Sequence, residues 1–160
     1  MKSKILSVAA LALLTVPTFM NAQEAGRDVI QTTFESADTS KDGKIDVAEL
    51  TQMAGSIFFG MDYDQDNTVS EEEFFGSDFG LERLATERDE ADIFGAAKRI
   101  LFALRDRNQD GFINQTELER STQDFMRHAD LDGDETLSTK EYEQGYVPSL
   151  VFRAALAPRA

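Results

Sequence analysis

Cysteine is absent from all 160 residues, so neither a disulfide frame nor a thiolate metal site is available. Histidine occurs once, at His128, which excludes a multi-histidine transition-metal centre and leaves an ordinary surface residue as its reading. Basic residues are scarce: 16 Lys and Arg stand against 30 Asp and Glu, for a formal net charge of −14. Such a chain has no basic face with which to neutralise phosphates, so nucleic acid is not an expected partner. Catalytic groupings are missing as well. There is no thiol nucleophile, no histidine base beside a serine and no phosphate-cradling glycine loop, and the chain reads as a non-enzyme.

What the chain does have is acid at fixed intervals. In the segment 106–117, Asp106, Asn108, Asp110, Asn114 and Glu117 place side-chain oxygens at positions 1, 3, 5, 9 and 12, with Phe112 at position 7 offering its carbonyl. Gly111 at position 6 supplies a residue that adopts positive φ without strain, and Ile113 at position 8 points away from the oxygens. The same register recurs three times. Asp38, Ser40, Asp42, Lys44 (carbonyl), Asp46 and Glu49 form one copy, with Gly43 at the turn. Asp62, Asp64, Asp66, Thr68 (carbonyl), Ser70 and Glu73 form another, with Asn67 at the turn. Asp130, Asp132, Asp134, Thr136 (carbonyl), Ser138 and Glu141 form the last, with Glu135 there instead. Phe34, Phe58, Phe102 and Met126 each lie four residues ahead of a copy, while Leu50, Phe74, Leu118 and Tyr142 each follow one. Position 8 reads Ile45, Val69, Ile113 and Leu137. An acidic turn can arise by chance, but four copies with matched flanks do not.

This pattern resembles the EF-hand calcium loop, in which oxygens at those positions wrap one ion and a glutamate at position 12 closes the shell with both carboxylate oxygens. The resemblance implies an all-α fold of helix–loop–helix repeats, with Ca²⁺ as the ligand and up to four ions. The ligand positions hold fifteen carboxylates, which accounts for much of the acidity.

Taken in order, residues 1–22 read as a secretory signal peptide. Lys2 and Lys4 precede the apolar run Ile5–Val16, Pro17 breaks it, and Ala22 offers a cleavage point before Gln23. The expected product is exported, periplasmic or secreted, with no membrane attachment once the leader is removed. The remainder divides into 23–85, with the first two loops, and 86–160, with the last two and an apolar tail at Leu150, Val151, Phe152 and Leu156. Val29, Ile30, Thr33, Phe34 and Ala37 give the first incoming helix one apolar face.

The spacing inside each half is short. Only 12 residues separate Glu49 from Asp62, and again Glu117 from Asp130. Leu50, Met53, Ile57, Phe58 and Met61 keep one helical face across the first gap, and Leu118, Thr122, Phe125, Met126 and Ala129 across the second. One shared helix is therefore predicted in each gap, leaving one loop and entering the next. A helix of fifteen residues is about 22 Å long, so the loops at its two ends cannot touch. Loop two is left to pair with three, and loop one with four. Ile93, Ala97, Ile100, Leu101 and Leu104 are the expected inward face of the helix before loop three, after a polar turn at 86–92.

The doublet spacing, and the run Ala54-Gly55-Ser56 before Phe58, are similar to lanmodulins, exported bacterial EF-hand proteins. Those proteins carry proline at loop position 2, where this chain has Thr39, Tyr63, Arg107 and Leu131. Calcium is therefore the expected ion, and a lanthanide the alternative. Only Met53, Met61 and Met126 accompany eleven phenylalanines after residue 22, fewer methionines than an adaptable partner-binding groove uses. The expected role is a calcium buffer or calcium-stabilised module, with a calcium sensor acting on a protein partner as the alternative.

Overall fold

The computed structural model describes residues 29–156, and the predicted leader 1–22 lies outside them. Most described residues are helical. Helix α1 covers 29–37. There follow β1 Lys44–Asp46, α2 Val47–Met61, β2 Thr68–Ser70, α3 Glu71–Gly76, α4 Glu82–Glu87 and α5 Ala91–Arg105. The chain continues with β3 Phe112–Asn114, α6 Gln115–Ala129, β4 Thr136–Ser138, α7 Thr139–Gln144 and α8 Val147–Ala155. The all-α expectation is corrected by the four strands, each of three residues and each inside a loop.

Both shared helices exist. Gly55 and Gly60 lie within α2 without breaking it, although each glycine costs a helix about 1 kcal/mol relative to alanine. Packing outweighs that cost, because Leu50, Ala54 and Met61 are buried along one side. With the loops held apart at the ends of α2 and α6, the strands pair across the chain. β1 is antiparallel to β4, with Ile45 facing Leu137, and β2 to β3, with Val69 facing Ile113. These four position-8 residues are 0–1 % exposed. Burying such a side chain fully contributes roughly 1.5–3 kcal/mol, so each pair acts as an apolar pin between two loops.

Three apolar clusters form around this framework. The first joins α1, β1 and the start of α2 to α6, β4 and α7 through Phe34, Leu50, Phe125 and Tyr142. The second joins α2, β2 and α3 to α5, β3 and α6 through Met61, Phe74, Phe102 and Leu118. The third holds α4 against α5 and α8 through Leu81, Ala85, Phe94 and Leu156. Each cluster draws on both 23–85 and 86–160, so those halves are sequence units and do not pack separately. The apolar tail folds back as α8, where Pro148 sits in the first turn and needs no backbone donor.

Two local expectations are corrected. The polar turn is shorter than 86–92, because α4 runs through Glu87 and α5 begins at Ala91. The inward face of α5 is Phe94, Ala97, Lys98, Leu101 and Phe102, while Ile93, Ile100 and Leu104 are exposed. Lys98 is the reason: its charge interrupts the apolar pattern of the face that is buried. Its ammonium donates to the carbonyls of Phe75 (3.0 Å) and Ser77 (2.7 Å) and to Glu82 Oε1 (2.9 Å). It also lies 4.9 Å from the Phe79 ring centroid. A buried cation with every donor used is tolerated, and this one ties the α3–α4 connection to α5. No helix among the described residues is long and apolar enough to cross a membrane.

Candidate functional site

The four loops share one hydrogen-bond plan, and the sequence register explains it. Position 9 is the N-cap of the helix that leaves the loop, and the position-12 glutamate is the third residue of that helix. Asp46, Ser70, Asn114 and Ser138 accept from the backbone N–H of Glu49, Glu73, Glu117 and Glu141, and each glutamate reaches back to the N–H of its cap. This reciprocal capping satisfies two donors that a helix start leaves open. It also orients the glutamate. One carboxylate oxygen takes the cap N–H, at 3.1 Å for Asp46 and 2.8 Å for Ser70. The other takes an N–H from the start of the loop: Ser40 at 2.8 Å, Tyr63 at 2.9 Å, Arg107 at 3.1 Å and Leu131 at 3.0 Å. Both oxygens of position 12 thus face back across the loop.

The position-1 aspartates do the same from the other side. Asp38 accepts from Asp42 (3.2 Å) and Gly43 (2.9 Å), Asp62 from Asp66 and Asn67 (3.1 Å each), and Asp106 from Asp110 (3.2 Å) and Gly111 (3.0 Å). Asp130 differs slightly, accepting from Gly133 (2.8 Å) and Glu135 (3.1 Å). Position 5 accepts from the N–H of position 7 throughout: Lys44 to Asp42, Thr68 to Asp66, Phe112 to Asp110 and Thr136 to Asp134. The turn residues Gly43, Asn67, Gly111 and Glu135 all have φ between 64° and 88°. A second left-handed residue precedes each of them at position 4, at Lys41, Gln65, Gln109 and Gly133. Only Gly133 among those four carried a sequence signal for it.

Burial closes one end of each loop. Asp38, Asp62 and Asp106, with Glu49, Glu117 and Glu141, are no more than 9 % exposed, while Asp42, Asp64, Asp66, Asn108, Asp110, Asp132 and Asp134 face solvent. Backbone donation from Ser40 holds the Glu49 carboxyl below its usual pKa, that from Ser70 holds Glu73 down, and the Ser138 hydroxyl does so for Glu141.

The donor set fits a hard divalent cation. The predicted ligands are oxygens only, and in loops two and four one oxygen from each of Asp62, Asp64 and Asp66, and of Asp130, Asp132 and Asp134, lies within 4.8 Å of the others. Two oxygens bound to one Ca²⁺ at about 2.4 Å can be at most about 4.8 Å apart. Loops one and three have Ser40 and Asn108 at position 3 and so carry one carboxylate fewer there.

Residues 30–54 and 99–120 match the EF-hand family, and these stretches contain loops one and three whole. These two segments are similar to EF-hands. No curated protein and no solved structure matches the chain. The two matches support calcium binding, and loops two and four repeat the hydrogen-bond geometry of the two matched loops.

One contact at the site had no sequence signal. The Lys44 ammonium, from loop one, donates to Asp134 Oδ2 of loop four. It holds the Asp134 carboxyl down at about 2, and the same contact raises Lys44. Only the cross-chain register, with Lys44 opposite Ser138, brings the two within reach.

Proposed function

We propose that this EF-hand protein is exported and binds up to four Ca²⁺, one per loop, as a calcium buffer or a calcium-stabilised module. The observation that carries the reading is the orientation of Glu49, Glu73, Glu117 and Glu141, whose two oxygens face into the loop through the same capping arrangement. A bidentate glutamate suits seven-coordinate Ca²⁺ better than octahedral Mg²⁺. Asp38, Ser40, Asp42, Asp46 and Glu49 would hold the first ion with the Lys44 carbonyl, and the corresponding residues of the other loops the rest. Export rests on the pattern of residues 1–22. The role in catalysis is nil on this reading, because the acids that could serve as catalysts are metal ligands.

Calorimetric titration of the metal-free protein with Ca²⁺, Mg²⁺ and La³⁺ tests the proposal. Three to four Ca²⁺ per chain at micromolar or weaker affinity is the expected result. One or two ions would remove loops two and four from the count, and picomolar La³⁺ binding with negligible Ca²⁺ response would replace calcium by a lanthanide. Fractionation of the producing cell tests export: the processed chain is expected outside the cytoplasm.

A further inference from the structure

Between α1, α2, α5, α6 and α8 lies a cavity of about 170 Å³. Its walls are mostly apolar, with Met53, Ala54, Met61 and Leu118 among them, and they reach the loop two–three pair at Val69 and Ile113. One charged side chain lines it, that of Arg105 at the end of α5. In a chain with net charge −14, Arg105 makes none of the ion pairs found among the described residues. Its partners are neutral. Nη1 donates to Ser121 Oγ (2.9 Å) and Thr122 Oγ1 (3.3 Å), the Tyr146 hydroxyl is a third partner, and the guanidinium carbon lies 5.2 Å from the Phe125 ring centroid.

A guanidinium stays charged under all ordinary conditions, and hydroxyls satisfy its donors without balancing its charge. Arg105 is half-buried, and Tyr146 beside it is buried. Lys98, a buried cation on the same helix, has Glu82 beside it. Among the described residues Arg105 has no such carboxylate, and the cavity beside it is lined mostly by apolar side chains.

We propose that this cavity binds a small anionic amphiphile, a single ring or short alkyl chain bearing a carboxylate. The anionic head lies toward Arg105 and Tyr146, and the apolar body lies among Met53, Ala54, Met61 and Leu118. Charge complementarity selects the head, since a low-dielectric wall strengthens its attraction to an unbalanced cation. Volume selects the body: a cavity of about 150 Å³ lined by apolar side chains accommodates benzene. The site reaches the loops only at their apolar position-8 residues and uses none of the predicted calcium ligands.

The test compares hexanoate with 1-hexanol, its uncharged counterpart, on the whole chain at fixed calcium concentration, by calorimetry and by the methyl resonances of methionine. Hexanoate is expected to bind one-to-one and at least tenfold more tightly than hexanol. It should shift Met53 and Met61, which line the cavity, and leave Met126 in place. Arg105→Met should bring the two probes within threefold of each other. Ala54→Leu, which narrows the cavity and leaves Arg105 intact, should weaken both at least fivefold. Equal binding of the two probes to the unaltered chain overturns the proposal, as does a hexanoate preference that survives Arg105→Met, or shifts that miss Met53 and Met61. If Arg105→Met does not fold, the probe comparison and Ala54→Leu still decide.

Discussion

Lys44 of the first loop and Asp134 of the fourth are joined as an ion pair across the β1–β4 ladder. Asp134 is a predicted calcium ligand, so an ammonium from one loop sits on an oxygen that the ion of another loop would use. The lysine is a tethered competitor for the fourth site.

Lys44→Gln should therefore tighten calcium binding at loop four. Both side chains are substantially exposed, at 48 % and 35 %, and exposed pairs contribute little, so the expected gain is only about twofold to fivefold and shrinks with added salt. Calcium titration of the variant at low and high salt checks this. Weaker binding in the variant would mean that the lysine assists the site.

Glu73→Gln should weaken loop three more than loop one or loop four. Glutamine keeps the size of glutamate but loses the charge and one of two equivalent oxygens. Loop two touches loop three through Val69 and Ile113, while α2 holds it away from loop one. Site-resolved calcium titration by NMR reads the coupling directly. Coupling to loop one instead would mean that α2, and not the strand pair, transmits it.

The cross-chain pairing was legible because it follows from helix length: two twelve-residue gaps with continuous apolar faces leave no other partners. The ligand register was legible because each position has one geometric duty. The α5 face was not, since Lys98 is buried only by virtue of Glu82 and two carbonyls that arrive from elsewhere in the chain. Nor was α4, a two-turn helix held by packing against α5 and not by a side-chain cap. Lys44 at Asp134 was hidden for the same reason, being a consequence of tertiary register.

Acid should unfold the metal-free protein over a defined window. The carboxyls of Glu49, Glu73 and Glu141 are lowered in the folded chain, chiefly by donation from Ser40, Ser70 and Ser138. A lowered folded value gives stability that is complete above the unfolded value of about 4.3 and is lost as pH falls through the folded one. Melting temperature in chelator should thus be nearly level from about pH 7 to 5 and fall below about pH 4.5. A steep fall already near pH 6 would assign acid sensitivity to other groups.

Glu135→Gly should raise stability and leave calcium affinity nearly unchanged. Glu135 has φ of 64° without any ion present, so its strain belongs to the folded chain and not to the binding step. Relief of about 1–2 kcal/mol is partly offset by the greater freedom of glycine when unfolded, about 0.5–1 kcal/mol. A net gain near 1 kcal/mol corresponds to a melting point higher by about 3 °C. Thermal melts of the metal-free proteins measure it. A tightened calcium constant with no change in the melt would place the strain in the bound state alone.

The β1–β4 ladder also sets an order of events. Ile45 meets Leu137 near the far end of the chain, whereas Val69 meets Ile113 across a shorter loop. Shorter loops close at lower entropic cost, so the central pair is the one that can form first. A chain emerging from the ribosome cannot complete its first EF-hand pair until the residues beyond Ser138 have appeared. Loop one therefore waits for loop four, and a truncated chain that stops short of β4 leaves Ile45 without its cross-strand partner Leu137.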